Sequence, residues 1–225
     1  WIGNWGLFSW GWDFGATLWD PDTNKISLNH PAMVEALEWE VTYAKKYGVS
    51  EIQAFQSGFG SGANDPFLTG QVAMIVNGDW TIANLEENAP DLEYDITPTP
   101  YPAGRSPMTF SGGFDIGVPR GSQHFEEAFG FIWYMASVDS QMYLCEQTHV
   151  LPTVIEAAKA LVDKMPRHKI FLDLLPVAYI EPVIPEWSEA FNEQLAAEQA
   201  AIYLQKTAKE ALDEANEKVQ KSIDE

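Results

Sequence analysis

Residues 67–80 read FLTGQVAMIVNGDW. Within them Val72–Val76 is a short, wholly apolar run, the pattern of a strand buried on both faces. Gly78 predicts the end of that strand, and Asp79 is placed to cap a helix beginning at Trp80. A tryptophan at a strand-to-helix turn serves either as a ligand contact or as core packing. The preceding SGFGSGA, residues 57–63, predicts a flexible loop.

Outward from that stretch the pattern alternates strands and helices. Upstream, Ala16–Trp19 and Lys25–Leu28 flank Asp20-Pro21-Asp22-Thr23-Asn24, the turn chemistry of a hairpin. The Asp-x-Asp-x-Asn spacing is no calcium loop, because Lys25 stands where such a loop needs glycine and Pro31 occupies its twelfth position. A helix is predicted from Pro31 to Tyr47, capped by Asn29 or His30. Met33, Leu37, Val41 and Ala44 form its apolar face, and Gly48 stops it. Downstream, Tyr94–Tyr101 predicts a strand that becomes a proline-rich linker, and Phe114, Ile116 and Val118 predict another strand. Helices are expected after Ser122, over Ser140–Gln147, around Ile155–Lys164 and from about Ser188. A fresh helix is expected at Thr207, where Thr207 and Glu210 form a capping box; Leu204, Ala208, Ala211, Ala215 and Val219 are its expected buried seam. The class is α/β.

Composition narrows the function. The chain has 225 residues with 46% apolar content, which suits a soluble globular protein with a real core. No stretch approaches the ~18 uninterrupted apolar residues of a membrane span. Thirteen basic residues against 33 acidic ones give a net charge of -20, a field that repels nucleic acid and anionic lipid. The single cysteine, Cys145, excludes a disulfide framework and fits an apolar helix face. His30, His124, His149 and His168 lack metal-ligand spacing, and exposed or capping roles are expected for them. Nine tryptophans and 12 phenylalanines are unusual, and several cluster in Trp1–Trp19. Flat rings beside glycine-rich turns suit sugar stacking, with core packing as the competing reading for each ring.

Five strings in order carry a resemblance: NHPAMVEALEWEVTYAKKYG at 29–48, FLTGQVAMIVNGDW at 67–80, SGGFDIGVPRGSQHFEEAFGFIWYMAS at 111–137, VLPTVIEAA at 150–158 and TAKEALDEANEKVQ at 207–220. Together they resemble the sugar-binding, maltose-binding-protein-like branch of the bacterial extracellular solute-binding proteins of ABC importers. The resemblance implies a periplasmic-binding-protein-like II fold, with the C-terminal lobe plus a partial piece of the N-terminal lobe. Residues 1–102 and 152–225 would form the C-terminal lobe, and residues 103–151 an excursion into the N-terminal one. The first part of that lobe would be missing, so this chain alone is expected to hold ligand poorly and to self-associate.

The function implied is that of a non-catalytic receptor, exported to the periplasm or anchored at the cell surface. It would capture a sugar or oligosaccharide in an interlobe cleft, close around it, and present it to the membrane subunits of an ABC importer. No cofactor, metal or nucleic-acid partner is implied, and the parent protein would be monomeric. Trp80 matches a sugar-stacking position of the family. Trp187, with Phe191 as the alternative should the alignment slip, lies near another. Trp10, Trp12 and Asp13 fall where the family has cleft residues. Gly112 and Gly113 could offer backbone donors to hydroxyls, and Asp79 could accept from them. The competing readings are the same fold holding a polyamine, peptide or metal, a glycoside hydrolase using two of Asp13, Asp79, Asp115 and Glu186, and a stand-alone all-β carbohydrate-binding module.

Overall fold

The computed structural model describes residues 6–225. Trp1 and Trp5, part of the N-terminal aromatic cluster, lie outside the described residues. The elements in order are α1 (Gly6–Asp13), β1 (Trp19–Asp20), β2 (Lys25–Ile26), α2 (Pro31–Tyr47), α3 (Val49–Gln56), α4 (Thr81–Asn88), β3 (Thr109–Phe110), α5 (Phe125–Met135), α6 (Val138–Thr148), α7 (Ile155–Lys164), α8 (Lys169–Leu174), β4 (Ala178–Tyr179), α9 (Trp187–Ile202) and α10 (Ala208–Asp224). β1 pairs antiparallel with β2, and β3 pairs parallel with β4. The chain divides into two compact units. One comprises Trp1–Gly58, Pro98–Gly112 and Val177–Glu225; the other comprises Phe59–Thr97 and Gly113–Pro176. The breaks between units thus fall at 58, 97, 112 and 176.

The first unit holds the larger core. α2 begins where expected because His30 Nδ1 accepts the Ala32 N–H at 3.1 Å and Pro31 occupies the first turn. It stops at Gly48, whose φ of 80° is one that side-chain-bearing residues rarely adopt. Leu7, Phe8, Met33, Leu37, Ile202, Leu212 and Val219 are fully enclosed where α1, α2, α9 and α10 meet. A two-residue hairpin is too short to stand alone. Here α10 supplies the missing acceptors: Gln220 Oε1 takes the Ile26 N–H at 3.0 Å, and Asn216 Oδ1 takes the Leu28 N–H at 2.8 Å. Residues 98–112 belong to this unit because Thr99 bonds Asp13, Arg105 lies over Gly15, and β3 pairs with β4. The expected seam of α10 forms from Ala208, Ala211, Ala215 and Val219 together with Leu212. Leu204 is not part of it, for it turns outward at φ 58°.

The second unit is more thinly packed. Met142, Cys145, Ala157 and Leu161 of α6 and α7 are buried together, with Leu151, Val154 and Met165 against them. Ile82 and Leu85 of α4 are also buried. Three tethers bind 79–94 to 149–167: Asp79 to Leu151, Glu86 to His149, and Tyr94 to Arg167. They explain why 59–97 joins this unit. The expected strands at 72–76, 94–101 and 114–118 do not form. A strand buried on both faces needs a partner edge and two covering layers. Neither surrounds these segments, and Met74, Val76, Phe114 and Ile116 are exposed.

Candidate functional site

In the second unit, Trp80 occupies the N-cap position of α4, and its side chain is 51% exposed. A Cβ on Gly78 would stand 2.1 Å from the Trp80 ring, so the glycine leaves space for the indole to fold back on the chain. Asp79 was expected to cap α4. Instead its Oδ1 accepts the adjacent Trp80 N–H at 3.0 Å, and its Oδ2 accepts the Leu151 N–H at 2.9 Å. Burial raises the Asp79 carboxyl above its ordinary range, with the Leu151 and Trp80 N–H groups and nearby His168 pulling it back. Gly113 is open, with nothing near where a side chain would lie.

His149 and His168 were expected to be exposed or to cap helices; both are buried, and His149 does cap the C-terminus of α6. Their rings stack with centroids 5.3 Å apart. His168 Nε2 donates to the His149 carbonyl at 2.9 Å, and His149 Nε2 meets Glu86 Oε2 at 3.2 Å. Among the described residues no partner reaches either Nδ1. Burial lowers the pKa of His149, and Glu86 opposes that shift. A hollow of about 390 Å³ beside the pair is lined by Ile82, Glu86, Glu146, Lys164 and Arg167 among others. Lys164 pairs with Glu146, and Arg167 is held by the Tyr94 carbonyl and ring.

In the first unit, the aromatic residues form one stacked column. Trp12 lies parallel to Tyr179 at 5.3 Å and to Phe110 at 5.9 Å, and Phe8 covers it from α1. Its side chain is only 3% exposed. Phe8 also stacks on Trp187 at 5.0 Å and touches Phe191. Trp187, the first residue of α9, is half-buried, and its indole N–H has no acceptor among the described residues. Trp10 stands apart, edge-on to Trp39 at 5.0 Å. Asp13 is buried beside the column; Thr99 Oγ1 donates to it at 2.8 Å. Burial pushes its carboxyl up to about 6 despite the Thr99 and Met108 hydrogen bonds. Gly112 is exposed, with the Phe110 ring lying where its Cβ would be.

The structure therefore joins Trp12 and Trp187 through Phe8, ties Asp13 to Thr99 and Met108, and ties Asp79 to Leu151, two residues after His149. The sequence reading missed Phe8, Phe110 and Tyr179. The signal available for them was aromatic excess alone, since 8, 110 and 179 are far apart along the chain. Among the described residues no group of three histidine, cysteine or carboxylate side chains is arranged to hold a metal ion, and no helix is long and apolar enough to cross a membrane.

Comparison with known proteins gives a consistent picture. The chain is 27% identical over 177 residues to the maltodextrin-binding protein MdxE of Bacillus subtilis (strain 168), covering 76% of this chain and 41% of that protein. A binding protein of Brucella abortus (strain 2308) is 26% identical across 89% of this chain and 48% of its own length. The chain thus spans about half the length of the curated relatives it matches. Among solved structures, mannobiose-bound CpMnBP1 is 28% identical with a TM-score of 0.77, covering 92% of this chain and 54% of that one. A tagatose-bound ABC transporter solute-binding protein of Thermotoga lettingae TMO has a TM-score of 0.80 at 24% identity, over 98% of this chain and 56% of that one. The fold is accordingly that of the periplasmic binding proteins. The family model for bacterial extracellular solute-binding proteins matches residues 2–170, and the chain belongs to that family.

Proposed function

We propose that this chain is part of a non-catalytic, exported receptor that captures a sugar or oligosaccharide and delivers it to an ABC importer. It would supply most of the C-terminal lobe and part of the N-terminal lobe. The observation that carries the reading is the Trp80 indole, half-exposed on a glycine at the turn opening α4. A flat ring held this way offers a face to the C–H side of a pyranose. Mannobiose bound to CpMnBP1, at 28% identity, supports a sugar as the ligand class. Within the first unit, Trp187 and Trp10 would offer partial ring faces and Gly112 a backbone donor, with Trp12 and Asp13 buried there; within the second, Gly113 would offer a backbone donor. A receptor that only binds and releases needs no pair of carboxyls flanking a bond.

Calorimetry on the complete protein with mannobiose, maltose and spermidine tests this. Sugar is expected to bind, and Trp80→Ala to weaken it by about tenfold or more, on the order of 1.4 kcal/mol. Binding of spermidine with neither sugar would overturn the reading in favour of a polyamine receptor.

A further inference from the structure

Asp79 makes two hydrogen bonds of different reach. One goes to its neighbour Trp80 and the other to Leu151, 72 residues further along. Leu151 is presented by His149, which ends α6 in the left-handed conformation at φ 60° with its N–H on the Cys145 carbonyl. The His149 carbonyl is held by His168, and the His149 ring reaches Glu86 on α4. The chain entering α4 is therefore held to Leu151, and the second turn of α4 to the His149 ring that His168 in turn supports. Both Nε2 hydrogens are committed, and each buried Nδ1 has no partner among the described residues.

We propose that Asp79 is a positioning residue: its carboxylate clamps the Trp80 turn to Leu151 over the stacked His149–His168 pair, so the set of the Trp80 indole depends on His149 staying uncharged. The sugar consequence rests on the reading of Trp80 given above. Charging His149 places an N–H⁺ where no acceptor stands and beside a second imidazole. The other groups around the pair are Asp79 just before α4, Glu86 on α4, Cys145 and Glu146 on α6, Lys164 ending α7, and Arg167. Burial pushes the Cys145 thiol up to about 11, so it is neutral. Lys164 and Arg167 are engaged by Glu146 and Tyr94.

His149 is held below its ordinary value of 6.5, so the open turn binds a proton more readily than the closed one, and acidification below about 6.5 loosens the clamp. Asp79 is held above its ordinary value, so protonating its carboxyl favours the closed turn and opposes that loosening.

The test uses the complete protein labelled with 5-fluorotryptophan, the Trp80 signal being assigned with Trp80→Phe. Hydrogen exchange is followed over 148–154. Asp79→Ala is expected to displace and broaden the Trp80 signal, speed Leu151 exchange about tenfold, and weaken mannobiose about tenfold. Acidifying the wild type from about pH 7.5 to about pH 5.5 reproduces the signal and exchange changes, and His149→Gln flattens that response. If Asp79→Ala does not fold, Asp79→Asn, with one acceptor oxygen left, carries the comparison. The proposal is overturned by an unchanged Trp80 signal and Leu151 exchange. It is equally overturned by a loss of mannobiose binding with both readouts unmoved, which makes Asp79 a direct contact. A wild type that binds neither mannobiose nor maltose refutes the sugar reading, and the sugar-free readouts still decide the clamp.

Discussion

Trp12 and Trp80 show how far a residue's role could be read from the sequence. Both stand in aromatic, glycine-rich surroundings, and both were expected near ligand. The local string NGDW carried the exposure of Trp80, because Gly78 and the turn act within two residues. The enclosure of Trp12 depends on Phe110 and Tyr179, brought in by a strand pair with no local signature. Burial of charge was equally hidden. Glu40 of α2 and Glu198 of α9, which no motif marks, are both buried, and Gln194 donates to Glu198 at 2.8 Å. Burial raises the pKa of both, and the Glu198 charge raises Glu40 further. The folded chain thus keeps protons that the unfolded chain, at the ordinary value of 4.5, releases. Raising pH from there through neutral must therefore favour unfolding. Glu40→Gln should remove much of that slope and stabilise the protein at about pH 8 by on the order of 1–3 kcal/mol. Thermal melts of both proteins across pH measure this, and parallel profiles would refute it.

Helices and the hairpin at 19–26 were legible and the other expected strands were not, for a reason of range. The limits of α2 and α7 were readable because caps, prolines and the helical period are local signals. α10 begins at the predicted capping box: Thr207 Oγ1 takes the Glu210 N–H at 3.2 Å, and Glu210 Oε2 takes the Thr207 N–H at 3.0 Å. Strands at 72–76 and 114–118 had the right residues, but a strand exists only with a paired edge. The box also matters beyond its own turn, because α10 satisfies the hairpin backbone at Ile26 and Leu28. Thr207→Ala is expected to cost about 1 kcal/mol. It should lower the urea midpoint with the slope unchanged. An unaltered midpoint would show the box to be idle, and a changed slope would show that the hairpin detaches separately.

At the scale of the whole chain, a net charge of -20 opposes association while one helix promotes it. Apart from Glu126, Glu127 and Gly130, every residue of α5 is apolar or aromatic, yet none is buried. Phe125, Phe129 and Trp133 stack in a row along its exposed surface. A helix apolar on all sides belongs in an interior, and a patch of this kind on a free surface finds a partner. The 225-residue chain by itself is therefore expected to self-associate through α5. The two forces respond oppositely to salt: raising it from about 0.01 M to about 0.15 M shortens the screening length from about 30 to about 8 Å, weakening repulsion and leaving apolar contact intact. Sedimentation should thus show association growing with both protein and salt, and Phe129→Glu with Trp133→Glu should abolish it without loss of helical circular dichroism. Association that weakens with salt would point to ion pairs instead, and a monomer at every concentration would mean that α5 finds cover within its own chain.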